Sequence, residues 1–192
     1  MLPDTWRIEI IRSRRKTLSI TVREDNVIRA RAPYRLSQKE IYGFVESKQS
    51  WIRKQMDRLA DERERVKEEG TFSRRELEEL AGQLAEVLPE TVNRYAKELG
   101  VTYGKISVRN QRTLWGSCTG KGNLSFNCLL ALAPREVMDY VVVHELCHRL
   151  EMNHSARFWR LVERILPDYQ VRRRWLREEG AILMKRMAGN SY

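Results

Sequence analysis

The sequence predicts an α+β fold, and three observations carry that expectation. The first thirty or so residues alternate apolar and polar side chains with the two-residue period of strands. Two capping boxes, Ser37-Gln38-Lys39-Glu40 and Ser73-Arg74-Arg75-Glu76, each open a long run of apolar residues at helical spacing. All three histidines of the 192-residue chain fall within eleven residues, in His144-Glu145-Leu146-Cys147-His148 and then His154. That pattern needs a helix to gather its side chains on one face. The expected architecture is antiparallel sheets packed with helices, one helix carrying H-E-x-x-H.

The elements follow in order. Residues 6–31 read as strands, with Ile8 and Ile10, then Leu18, Ile20 and Val22, set between polar neighbours. Glu24-Asp25-Asn26 reads as a turn, Val27 to Ala30 resumes a strand, and Pro33 ends the unit. Residues 1–33 thus form a small sheet, expected to be antiparallel, which cannot bury its apolar face alone. The helix after Ser37 carries Ile41, Phe44, Val45, Trp51, Ile52, Met56 and Leu59, and the charged stretch Asp61–Gly70 is expected to fray into a linker. From Ser73 onward Leu77, Leu80, Leu84, Leu88, Val92, Tyr95 and Leu99 share one face. Pro89 predicts a break there and Gly100 a terminus. Ile106 and Val108 mark a strand, Gln111–Gly122 a polar loop holding Trp115-Gly116-Ser117-Cys118, and residues 124–130 another strand. Pro134 opens the histidine helix at its first position, Glu136 and Asp139 favour its positive end, and it runs to about Glu151. Asn153 is expected in a left-handed turn that returns His154. Ser155 caps the next helix, which packs through Phe158, Trp159 and Val162; Pro167 breaks it, and Trp175 anchors a last helix. The tail after Gly180 is expected to be loose, apart from packing by Ile182, Leu183 and Met184. Residues 1–192 are read as one domain, with the metal-binding core in 101–180.

Bulk properties exclude several classes. No secretory h-region follows Met1, and no apolar run approaches the length of a membrane span. The three cysteines, Cys118, Cys128 and Cys147, form no disulfide framework, which favours a reducing, cytoplasmic setting. Cys147 reads as a small buried apolar residue. The formal net charge of +10 attracts polyanions without specificity. Its dense spots are Arg12-Ser13-Arg14-Arg15-Lys16 and Arg172-Arg173-Arg174. No paired-cysteine finger or RNP-like pattern accompanies them, so weak nonspecific nucleic-acid binding is the most they imply.

The histidine cluster carries the chemistry. His144 and His148 sit one turn apart on a helix, so both imidazoles can reach one ion. His154 arrives from beyond the helix and completes a three-histidine set with one position open, the mark of a catalytic rather than a structural zinc site. Glu145 is placed to accept a proton from metal-bound water. Tyr140, one turn before His144, is a candidate oxyanion donor, and Arg112 a weaker one. Ser117 or Asn127 can support the site by hydrogen bonds, and Cys118 is a less favoured fourth ligand. A strand edge beside the metal would let an extended peptide pair with it.

The chain resembles the YgjP-like metal-dependent hydrolases, relatives of the SprT-like zinc peptidases within the zincin-like superfamily. The resemblance rests on Trp115-Gly116-Ser117-Cys118, on Asn127, Leu130 and Pro134, on Asp139 through His148, and on Asn153-His154-Ser155 with Phe158-Trp159. Arg14-Arg15-Lys16, Ala32-Pro33 and Lys48 with Trp51-Ile52 extend it to the N-terminal part. It implies Zn2+ bound by His144, His148 and His154, catalysis by Glu145, and a protein or peptide substrate. The alternative is a zinc-dependent hydrolase acting on nucleic acid or on nucleic-acid-bound protein. Glu145 separates peptide-bond from phosphodiester hydrolysis, because a general-base glutamate points to amide hydrolysis.

Overall fold

The computed structural model describes residues 3, 6–23 and 25–188. Glu24 of the expected turn, and Met1, Leu2, Asp4 and Thr5 of the leading segment, lie outside the described residues. The chain falls into two compact units, Met1–Glu68 and Glu69–Tyr192, and the fold class is α+β.

In the first unit, strands β1 (Arg7–Ser13), β2 (Ser19–Val22) and β3 (Val27–Pro33) form a sheet in the order β1-β3-β2. The sheet is mixed rather than purely antiparallel: β2 runs antiparallel to β3, but β1 runs parallel to it. The cause is apolarity. β3 holds Val27, Ile28, Ala30 and Ala32 buried, while β1 and β2 are half-exposed. The most apolar strand takes the centre, and two chain reversals then set β1 alongside it in the same direction. Asn26, at φ 60°, supplies the left-handed residue of the β2–β3 turn, a conformation that Asn tolerates better than most residues. Ser37 caps α1 (Gln38–Ser47) with both bonds of the capping box formed. The chain bends at Lys48, so the expected single helix is two, and α2 (Gln49–Glu69) continues through the segment expected to fray. Charged pairs one turn apart, such as Arg58–Glu62 at 3.1 Å, support that helix. Ile28, Val45 and Ile52 form one apolar cluster and Ala30, Ala32 and Ile41 another.

The second unit opens with α3 (Arg74–Leu99), capped by Ser73 and closed by Gly100 at φ 68°. Pro89 lies inside this helix and does not break it. Leu84, Leu88, Val92, Tyr95 and Leu99 are all buried along one stripe, and that packing outweighs the hydrogen bond and clash a proline costs. Strands β4 (Ile106–Arg109), β5 (Gly116–Cys118) and β6 (Leu124–Asn127) repeat the topology of the first sheet, in the order β4-β6-β5. β6 again pairs parallel on one side and antiparallel on the other. β5 falls inside the stretch expected as loop, and a 3-10 helix (Cys128–Leu132) replaces the end of the expected strand. Asn127 explains that change: its Oδ1 accepts from the Leu129 amide at 3.1 Å and caps the turn.

The histidine helix α4 (Arg135–Cys147) is buried along most of its length against α3, the sheet and α6. Pro134 is its N-cap residue rather than its first helical one. Tyr95 and Arg94 of α3 both reach Asp139, at 3.0 and 3.1 Å. α5 (Ala156–Ile165) is capped by Ser155, and α6 (Tyr169–Ala188) closes the unit. α6 runs well past Gly180, where the tail was expected to loosen, because Ile182 and Met187 are buried.

Candidate metal and catalytic site

The helix that bears the first two histidines stops earlier than expected, at Cys147, with His148 as its C-cap. The turns that follow are tight: the Arg149 amide donates to Leu146, and those of Leu150 and Glu151 both donate to Cys147. The Arg149 guanidinium then holds this end in place through the carbonyls of Thr102 (3.0 Å) and Gly120 (3.1 Å). Asn153 does not take the left-handed conformation expected of it; among the described non-glycine residues only Asn26 has positive φ. These compact turns alone bring the chain back, and the Ser155 amide donates to the Asn153 carbonyl at 2.8 Å as α5 begins.

The result is convergence. The donor atoms of His144, His148 and His154 lie within 4.8 Å of one another. The Nε2 atoms of His144 and His154 face each other at 3.0 Å. Two imidazoles sharing a tetrahedral zinc would place those atoms about 3.3 Å apart, given zinc–nitrogen bonds of ~2.05 Å. His148 turns its Nδ1 to the Glu151 carbonyl at 3.2 Å, which leaves Nε2 free to ligate, the usual arrangement for a metal-binding histidine. Burial, then the neighbouring His148 and His154, push the His144 pKa down to about 3, and burial lowers that of His148 as well. Neutral imidazoles are what a metal needs. The donor set fits zinc in number, type and protonation.

Phe158 is the floor of the cluster. Its ring centroid lies 4.8, 4.7 and 4.7 Å from those of His144, His148 and His154, and it is fully buried. The sequence assigns Phe158 a packing role and a place in the family resemblance; its position four residues after His154 on a capped helix is the signal that would have tied it to the histidines.

Glu145 is 5% exposed, and burial lifts its pKa to about 8. It shares a cleft of ≈ 240 Å³ with His144, Tyr140, Val141, Trp115 and Gly116. Gly116 presses directly on it: a Cβ there would lie 2.8 Å from both Cγ and Oε1 of Glu145. Gly180 similarly admits Trp115, whose Cζ2 would lie 2.7 Å from an added Cβ. The Trp115–Gly116 pair therefore lines the cleft.

The other candidates divide. Tyr140 lines the cleft, packs edge-on to His144 at 5.9 Å, and burial pushes its pKa up to about 12. Arg112 is exposed and is not among the cleft residues. Asn127 is buried and donates to the carbonyls of Gln111 (2.5 Å) and Leu114 (2.9 Å). It pins the loop that leads to Trp115. Among the described residues Cys118 is not part of the cluster, and its Sγ donates to the Thr119 carbonyl. Ser117 pairs with Ser125 across the sheet. β6 is the central strand of its sheet and presents no free edge to the site. Of the two edge strands, β4 and β5, it is β5 whose Gly116 abuts Glu145.

Comparison with known proteins follows the same lines. A family model described as YgjP-like, metallopeptidase domain, matches residues 16–83 and 66–179. No curated protein matches the chain. Two solved structures are similar, and both are described as metallopeptidase zymogens. Abylysin of Pyrococcus abyssi is 23% identical, with 47% of this chain and 92% of that one covered, at a TM-score of 0.44. Jannalysin of Methanocaldococcus jannaschii is 19% identical, with 50% and 90% covered, at a TM-score of 0.38. No helix among the described residues is long and apolar enough to cross a membrane.

Proposed function

The chain belongs to the YgjP-like metallopeptidase family, and from that premise we propose that it hydrolyses peptide bonds with a zinc ion held by His144, His148 and His154 and with Glu145 as the catalytic base. One observation carries this reading: the three histidine donors converge beside a buried carboxylate that lines the same cleft as His144. Zinc, when bound, supplies a Lewis acid that polarises a carbonyl and acidifies water.

The chain's own residues do the rest. Glu145 takes the proton of the attacking water on its carboxylate and passes it to the leaving amine. Burial supports both halves of that task. A carboxyl lifted to about 8 in the metal-free site is a stronger base than an exposed one and holds its proton long enough to return it. Gly116, against Cγ and Oε1, fixes where the carboxylate sits. Tyr140 keeps its phenolic proton at neutral pH and donates from the cleft wall toward the developing oxyanion. An extended substrate pairs its backbone with the outer edge of β5, which leads from Trp115 past Glu145.

The test is a defined peptide library digested by zinc-loaded protein and read by mass spectrometry, with the Glu145→Gln protein as blank. Cleavage is expected with the native protein and is expected to vanish in the variant while zinc stays bound. Equal turnover by Glu145→Gln would remove Glu145 from the mechanism. Metal analysis is expected to give one zinc per chain, lost in His148→Ala; zinc retained in that variant overturns the ligand set.

A further inference from the structure

The run Arg172-Arg173-Arg174 has no part in the chemistry above, and the structure divides it. Arg172 is committed to the fold: it pairs with Asp168 at 2.9 Å and donates to the Glu136 carbonyl at 3.2 Å. Arg173 and Arg174 are exposed and, with Arg177, Tyr169 and Gln170, line a polar pocket of ≈ 410 Å³. Among the described residues, neither Arg173 nor Arg174 is paired with a carboxylate. Arg177 pairs with its neighbour Glu178, at 3.2 Å with both side chains exposed, a contact worth little.

The helix periodicity fixes where this pocket lies. Tyr169, Arg173, Leu176 and Gly180 recur along one face of α6 at intervals of four, three and four residues. Gly180 abuts Trp115 and Leu176 lines the Glu145 cleft. Arg173 then lies over the Trp159 ring at 4.8 Å, and Tyr169 stacks on that ring at 5.4 Å. Trp159 in turn lies 5.9 Å from His144 and 5.8 Å from His154, centroid to centroid. One helix face therefore carries the cleft wall and, a turn further along, Arg173. A single indole separates Arg173 from the histidines.

We propose that this pocket is an anion subsite that takes a carboxylate of the substrate chain, so that the enzyme prefers acidic peptides; this rests on the peptidase reading above. Guanidinium groups in a cluster match a carboxylate by paired hydrogen bonds, and stacking on Trp159 holds Arg173 ready for the ligand. A peptide lying along the cleft reaches the pocket within a few residues of the cut bond. A nucleic-acid strand is the less suited ligand, because single strands bind by stacking on open aromatic faces. Here Trp159 already carries Arg173 and Tyr169.

The experiment uses pairs of fluorogenic peptides that differ only in Glu against Gln at one position, each with a free or amidated C-terminus. With zinc-loaded native protein, kcat/KM is expected to favour the carboxylate-bearing member at least tenfold. The side-chain and C-terminal arms tell which carboxylate is read, and a preference in either supports the subsite. Arg173→Gln combined with Arg174→Gln is expected to bring the ratio to within twofold of one, and Arg173→Glu to turn the preference toward the uncharged member of each pair. A loss through structure alone would lower both members of a pair together. A native ratio of one, or a ratio unchanged in the variants, overturns the proposal while leaving the peptidase reading intact. A binding titration with Glu145→Gln protein separates the two claims. Acidic-peptide binding that is lost in the arginine variants, with no cleavage by native protein, supports the pocket and overturns the peptidase reading. A single-stranded oligonucleotide that binds where the acidic peptide does not, and is lost in the same variants, overturns the subsite in favour of nucleic acid.

Discussion

At the scale of single residues, the site is defined by what burial does to opposite charges. Burial raises the pKa of Glu145 to about 8 and lowers that of His144 to about 3, so each favours its neutral form in the metal-free protein. The consequences for stability run in opposite directions. Between its ordinary value of 4.5 and about 8, folded Glu145 holds a proton that the unfolded chain has lost, so stability falls as pH rises through that window. Between 6.5 and about 3, unfolded His144 holds a proton that the folded chain excludes, so stability falls as pH drops. The two oppose each other from 4.5 to 6.5, and above 6.5 the glutamate acts alone, at up to about 1.4 kcal/mol per pH unit. Melting temperatures of chelator-treated native and Glu145→Gln proteins are therefore expected to diverge progressively from pH 6.5 to 8, with the native protein losing the alkaline limb. A constant difference across that range would show that the carboxylate is not held neutral. Gly116 tests the same carboxylate from the other side. A methyl group 2.8 Å from Cγ and Oε1 has to displace the side chain, and overpacking of this kind costs about 1–3 kcal/mol. Gly116→Ala is expected to keep zinc and the fold but to lower kcat/KM by about a hundredfold, since displacing a reacting group by an ångström has that order of effect. Unchanged kinetics would mean that the glutamate position is not critical.

At the scale of elements, α3 shows tertiary packing overriding a local signal. Pro89 costs a helix interior about 3 kcal/mol relative to alanine, yet the buried stripe from Leu84 to Leu99 keeps the helix whole. Pro89→Ala is expected to raise the unfolding free energy by about 1–3 kcal/mol, the lower end reflecting the stiffness proline gives the unfolded chain. Denaturant titration checks this, and a destabilised variant would mean that the helix is shaped around the proline. The same contrast separates what was legible in the sequence from what was not. Capping signals read correctly: both capping boxes, the Gly100 terminus and the Ser155 cap formed as expected, whereas the break expected at Pro89 and the left-handed turn expected at Asn153 did not form. Signals that depend on distant partners were not legible. The direction of β1 follows from which strand is most buried, and β5 exists because Gly116–Cys118 pairs with residues 124–126 of β6. At the site, the spacing of His144, His148 and His154 made their convergence legible. The contact of Gly116 with Glu145 joins separate elements, and no spacing encodes it; Phe158, four residues after His154, is tied by spacing to that histidine but not to His144 and His148, whose rings it also seats.

At the scale of the whole molecule, a formal charge of +10 sets the long-range behaviour, and the structure indicates which cations can express it. The basic run at residues 12–16 is not uniform. The Arg12 guanidinium donates to the carbonyls of Pro33, Tyr34 and Leu36, at 3.4, 3.3 and 2.5 Å, and so closes the segment between β3 and α1. Arg14 and Lys16 are exposed. Arg12→Gln is expected to lower stability by about 1–3 kcal/mol, the cost of leaving backbone acceptors without their charged donor. Arg14→Gln with Lys16→Gln is expected to leave stability within about 0.5 kcal/mol of native. It is also expected to leave zinc content unchanged, because the three histidines belong to the other compact unit. What the double variant alters is the response to salt. Each phosphate neutralised on duplex DNA contributes roughly 0.9 to the slope of log affinity against log salt, so losing two contacts is expected to flatten that slope by about two. Titration of a labelled oligonucleotide at several ionic strengths reads this directly. Native protein that binds no oligonucleotide even at low salt would assign the excess charge to solubility or to attraction of acidic protein, the polyanion that a carboxylate-reading pocket on α6 already anticipates.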